Sequence, residues 1–133
     1  MKRQFFSLCF LFVPILFLTA FPQNPEWINY TNGDEILSIA EDGSDMWIGT
    51  SGGLVQLDKS SGTATFYNKA NSPLPGNDVY AVAIDHNNIK WIGTGDGLVK
   101  FDGSNWTVYN SSSITCIAID SSDNKWIGTG NGC

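Results

Sequence analysis

The tetrapeptide WIGT occupies residues 47–50, 91–94 and 126–129, at spacings of 44 and then 35 residues. Its surroundings repeat with it. ILSIAED (36–42), VYAVAID (79–85) and ITCIAID (114–120) precede the three copies, and SGGLVQLD (51–58), GDGLVKFD (95–102) and GNGC (130–133) follow them. The first two units then run into TATFYN (63–68) and NWTVYN (105–110). Self-similarity at about 40 residues marks one supersecondary unit that buries its apolar faces only by stacking on copies of itself.

Each unit reads as four short strands separated by Asp, Gly, Ser and Asn. In the first unit these fall at 36–41, around Trp47, at 54–57 and near Phe66. Alternation in the first strand sharpens the reading. One face carries only small residues, Ser38 and Ala40, Ala81 and Ala83, Cys116 and Ala118. The other carries Leu37 and Ile39, then Tyr80, Val82 and Ile84, then Ile117 and Ile119. Neither face is made for water, so each sheet needs a neighbour on both sides. Four strands per period with both faces covered predicts an all-β fold, a β-propeller of stacked four-stranded antiparallel blades.

The propeller is incomplete. WINYT at 27–31 matches the Trp and Tyr spacing of NWTVYN and reads as an orphan outer strand. Residues 36–68 and 79–110 make two blades, and 114–133 about half of a third. A closed ring of four to eight blades needs roughly 160–320 residues, so the expectation is the N-terminal piece of a longer protein. A dimer pooling its strands is the alternative. Residues 1–20 read as a signal peptide: Lys2 and Arg3 precede an apolar run over 5–18 that is too short to span a bilayer and is broken by Pro14. Thr19 and Ala20 offer a small-residue cleavage region, while the bulk of Leu18 leaves an uncleaved anchor as the alternative. The protein is therefore expected outside the cytoplasm, in the periplasm or beyond the cell.

Without Lys2 and Arg3, five lysines face 13 acidic residues and no arginine remains. The lysines are scattered, so no row of phosphates can be neutralised and a nucleic-acid partner is excluded. The loss of the usual bidentate anion reader also disfavours a highly anionic ligand. Cys116 and Cys133 are too few for a disulfide framework. Cys116, at a small-residue core position, is expected to be an inert buried thiol.

The repeated tryptophans and the glycines after them read as packing between blades. SGG, GDG and GNG, at Gly52, Gly95 and Gly130, read as hairpin turns needing positive φ. Those turns share one end of the blades with the long connection from Asn68 to Asp78. Long loops on a rigid scaffold commonly carry binding groups, and Asn77, Asp78, Tyr80 and Asp96 are accordingly the candidate ligand-binding residues. Asp85, Asn87 and Asn88, with Asp120, Asp123 and Asn124, have turn spacing rather than calcium-loop spacing, so no metal is expected. His86 is the only histidine, and with no repeated acid pair the residues point to no catalytic group and no cofactor.

The pattern DxxxxxWIGTxxGLxxFDGxxWxxYN, with NSxLPxxxV at 71–79, resembles the two-component regulator propeller repeat of the extracytoplasmic sensor halves of bacterial hybrid proteins. The match covers nearly all of the chain beyond residue 20 and is best over residues 85–110. The resemblance implies a ligand-sensing module, with oligosaccharides or other small molecules as ligands, and a larger sensor supplying the remaining blades and the output. The first unit departs from the pattern, being one residue shorter between Asp42 and Trp47 and carrying Leu57 where Phe101 stands. The runner-up reading is a secreted structural or interaction propeller that binds a partner chain and no small ligand.

Overall fold

The computed structural model describes residues 34–110 and 112–130. The proposed leader, the orphan strand at 27–31 and Cys133 lie outside the described residues. Ten strands follow in chain order: β1 Ile36–Glu41, β2 Asp45–Thr50, β3 Gly53–Asp58, β4 Ala64–Tyr67, β5 Val79–Ile84, β6 Lys90–Thr94, β7 Gly97–Phe101, β8 Trp106–Asn110, β9 Ile114–Ile119 and β10 Lys125–Thr129. They form two antiparallel four-stranded meanders, β1-β2-β3-β4 and β5-β6-β7-β8, and a two-stranded sheet of β9 and β10. The sheets stack first strand on first strand, β1 against β5 and β5 against β9. The fold is an incomplete β-propeller: all-β, bladed and not closed into a ring.

The hairpin triplets do turn the chain, but the positive φ falls on the last residue of each described triplet rather than on Gly52 or Gly95. Gly53 has φ +141° and Gly97 φ +146°. At Gly53 a side chain would also run into the Tyr67 carbonyl oxygen. In both hairpins a threonine closes the turn, Thr50 Oγ1 donating to Gly53 O and Thr94 Oγ1 to Gly97 O at 2.9 Å.

The alternation of small and large faces explains the stacking. Trp47 pairs with Ala40 and Gly49 with Ser38, so the tryptophan shares the small face. The next blade lays its branched side chains there: a Cβ on Gly49 would sit 2.9 Å from Val79 Cγ1 and 3.3 Å from Val82 Cγ2. Ser38 Oγ also accepts from the Val82 amide at 2.9 Å, a polar tie between blades. The core is built on this seam from Trp47, Leu54, Leu74, Val79, Val82, Ile92, Val99 and Phe101.

Burial of the repeated tryptophan falls along the chain. Trp47 is 1% exposed, Trp91 half-buried and Trp126 64% exposed. A blade covers the tryptophan before it: Phe101 packs edge-on to Trp47 at 5.8 Å. Among the described residues the third blade has only β9 and β10 to lay on Trp91. The expectation that both faces of every blade are covered therefore fails at the two ends of the stack, where Ile39 is 54% exposed and Trp126 stands open. Cys116 is corrected for the same reason. It is exposed rather than buried, because it shares the open face with Trp126.

Candidate functional site

The loop from Asn68 to Asp78 is braced by its own side chains. The Asn68 side chain accepts from the Ala70 amide at 2.8 Å, and Asn71 accepts from the Asn68 amide at 2.8 Å. The Ser72 hydroxyl donates to the Asn68 carbonyl at 2.6 Å. Leu74 then plunges into the core and is buried, a contact worth about 1.5–3 kcal/mol. These ties fix where residues 76–80 emerge.

Of the four candidates, three converge at this end of the second blade. The Asp78 carbonyl accepts from the Gly95 amide at 3.0 Å. A Cβ built on Gly95 would lie 3.6 Å from the Tyr80 ring and 3.9 Å from Asp78 Cβ. One built on Gly76 would lie 2.7 Å from an Asp96 carboxylate oxygen. Asp78, Tyr80 and Asp96 thus surround two bare glycines, with Tyr80 38% exposed and both carboxylates open to water. Tyr80 stands outside the strand alternation because the register of β5 slips between Val79 and Ala81. Asn77 instead braces the loop, its side-chain oxygen accepting from the Lys69 amide at 2.8 Å. A ring stacked on the tyrosine, with hydroxyls donating to the carboxylates, is the chemistry this arrangement allows.

Other concavities differ in character. At the same end of the first blade a cleft of about 40 Å³ lies between Asp34, Thr50, Gly52 and Tyr67, too small for a sugar ring. At the opposite end a polar cleft of about 310 Å³ is lined by Asp45, Gln56, Asp58, Ser61, Thr63 and Thr65. There Gln56 donates to Asp45 at 2.6 Å and accepts from the Tyr67 hydroxyl at 2.9 Å. Burial, and then the nearby Asp45 charge, push the Tyr67 hydroxyl pKa up.

The opposite end also holds a repeated ionic clamp. The Asp42 carboxylate accepts from Trp47 Nε1 at 3.0 Å and pairs with Lys90 of the next blade at 2.9 Å, while that ammonium lies 5.2 Å from the Trp47 ring centre. Asp85 repeats this with Trp91 Nε1 at 3.0 Å and Lys125 at 3.1 Å, the ammonium 5.5 Å from the Trp91 ring. Both carboxylates are nearly buried, so the lysine balances a charge that has left water. Sequence reading misses this clamp, although the signal is there: lysine directly precedes tryptophan in KWIGT twice, and an aspartate stands six residues before each of those tryptophans. Asp85 and Asp120 also brace their own turns. Asp85 Oδ1 accepts from the amides of Asn87 and Ile89, and Asp120 Oδ1 from those of Ser122 and Asn124.

The clamp has a signature in pH. Burial pulls the Asp42 pKa upward, but hydrogen bonds from Lys90, Trp47 and the Asp45 amide outweigh it and hold the value at about 2. Asp85 is held at about 2 in the same way, burial being overcome by Trp91, Ile89 and Lys125. A folded pKa below the unfolded one gives stability that is complete above the unfolded value of about 4 and is lost as pH falls through about 2. Urea midpoints are therefore expected to hold between pH 7 and 5 and to drop below pH 4. Asp42→Asn should flatten that drop; an unchanged acid limb in this variant would remove Asp42 from the account.

No helix among the described residues is long and apolar enough to cross a membrane. No family model and no curated protein matches the chain. Solved structures do. The extracellular domain assigned to the hybrid two component system BT3049 of B. thetaiotaomicron matches with TM-score 0.65 and 28% identity over 71% of this chain. That assigned to BT4673 of the same organism matches with TM-score 0.59 and 27% identity, again over 71%. In each case the match spans 14% of the longer chain. In blade architecture, and in the residues aligned on it, this chain is similar to the extracellular domains of two-component sensors.

Proposed function

We propose that the chain is an extracytoplasmic recognition module, a ligand-sensing part of a two-component-type sensor, whose ligand is an oligosaccharide or another small polyhydroxylated molecule. The observation that carries the reading is the convergence of Asp78, Tyr80 and Asp96 around Gly76 and Gly95, on a loop fixed by Leu74. An exposed aromatic ring flanked by carboxylate acceptors suits a neutral ring bearing hydroxyls. The chain's acidic balance suits a ligand without negative charge. The similarity to extracellular sensor domains supports export and a sensing role over an enzymatic one.

Thermal-shift screening of the chain against neutral and acidic oligosaccharides tests it. A neutral hit should stabilise the chain by several degrees, an effect that Tyr80→Ala and Asp96→Asn abolish while leaving the unliganded Tm within about 2 °C, as expected for exposed side chains. Silence across the panel, or a hit indifferent to both substitutions, would sink the assignment. A secreted interaction module is the second reading, favoured by the open Trp126 face.

A further inference from the structure

The exposed face of the third blade is one half of a contact that the structure shows complete between the first and second blades and in part between the second and third. On it lie Cys116, Ala118, Trp126 and Gly128, beside an apolar cleft of about 280 Å³. Asp120 accepts from Trp126 Nε1 at 3.0 Å, as Asp42 and Asp85 do from their tryptophans. Each of those two also takes a lysine from the blade that follows. Asp120 takes none among the described residues, and an amide of Asn124 donates at 2.9 Å to the oxygen a lysine would share. The seat is thus shaped, charged and uncovered.

We propose that this face docks a further blade of the same repeat type, one that brings a lysine directly before its WIGT-like strand and sets it between Asp120 and the Trp126 ring. Branched aliphatic residues of that blade's first strand fill the space over Gly128 and Cys116, as Val79 and Val82 do over Gly49 and Ile114 does over Gly93. A second copy of this chain is the wrong occupant. Among the described residues, the face it could offer belongs to the first blade, where Met46 takes the place of Lys90 and Lys125 and offers nothing to a carboxylate. Lysine against methionine before the tryptophan therefore separates the two blades seated on a described blade from the first, independently of any ligand at the loops. An acid left without its cation as water is withdrawn would oppose docking, which is how charge selects the neighbour.

The test extends the full chain beyond residue 133 with a second copy of residues 99–130, which finishes the third blade and begins a fourth. Cys133, in the place of Leu98 of the repeat, is changed to Leu and Cys9 to Ser, so that Cys116 is the one thiol in the original segment. The appended Cys116 equivalent is likewise made Ser. A twin extension carries Met at the appended lysine. Cys116 then reports coverage through its rate of reaction with a water-soluble disulfide reagent. The lysine extension should slow that rate at least about tenfold, since reaction then waits for local opening. The methionine extension, or Asp120→Asn in the lysine extension, should restore most of it.

Cys116 left as reactive as in the unextended chain overturns the proposal, whether the added strands fold elsewhere or not at all. Equal protection by both extensions overturns it too, because shape alone would then be the selector. Protection in the unextended chain that rises with concentration, with dimers in sedimentation, would assign the face to a second copy and also overturn it.

Discussion

Lys90→Met is expected to lower folding stability by about 3 kcal/mol, because removing one partner of a buried ion pair strands the other. The Lys90 and Asp42 side chains are 6% and 4% exposed. Asp42 would keep its bonds from Trp47 and the Asp45 amide but lose its counter-charge in a place water scarcely reaches. Loss of the cation over the Trp47 ring adds to this. In a domain of this size the Tm should fall by roughly 10–20 °C. Methionine suits the test because the first blade carries it naturally at this strand position, as Met46. Asp42→Asn in the same chain should recover about half of the loss, since the amide oxygen can still accept from Trp47 and no charge remains buried. The equivalent Lys125→Met should cost distinctly less: Lys125 is 21% exposed, so water can enter from its side once the ammonium is gone. Equal losses at the two lysines, or a double variant no better than the single, would show that the charge pairing across the blades is not what the lysine supplies.

These differences between identical motifs mark where sequence reading reaches its limit. Strand positions follow from local pattern, and the strands fall where the repeat places them because each turn carries its own chemistry: a threonine closing a hairpin, an aspartate capping a bend. What a repeat cannot state about itself is what lies against it. Trp47 and Trp126 sit in the same tetrapeptide, yet one is buried and the other stands in water, because burial belongs to the neighbouring blade. Cys116 misleads for the same cause. Loop chemistry is legible in part. Chain direction puts Asp78, Tyr80 and Asp96 at one end, whereas the use of Asn77 depends on the Lys69 amide, a backbone group with no signature in the residue letters. The lysine before the tryptophan is visible but has meaning only once the aspartate of the preceding blade is seen opposite it.

The same reasoning predicts that alanine at the glycine of WIGT will be costly in the first blade, less so in the second and nearly neutral in the third. Backbone conformation does not set the order, since none of the three glycines has a positive φ. Neighbours do. At Gly49 a Cβ would lie 2.7 Å from the Val79 carbonyl oxygen and 2.9 Å from its Cγ1, so the start of β5 must shift and with it the loop held by Leu74. Overpacking of this kind costs about 1–3 kcal/mol, against a gain below about 1 kcal/mol from a stiffer unfolded chain. At Gly93 the obstacle is Ile114, with Cγ2 at 2.6 Å and Cβ at 3.0 Å. Its branched side chain has little rotamer freedom, but it sits on a two-stranded sheet that can move outward, and a loss of about 1 kcal/mol is expected. At Gly128 the only close atom is the Cys116 sulfur, which can turn into the open face, and the change should stay within about 0.5 kcal/mol. Urea denaturation of the three variants reads the series directly. Equal losses at all three would mean that the glycine serves its own sheet, and the account of blades crowding at a bare backbone would fail. If a further blade is seated on the third, Gly128→Ala should become as costly as Gly49→Ala, because the sulfur then has nowhere to turn.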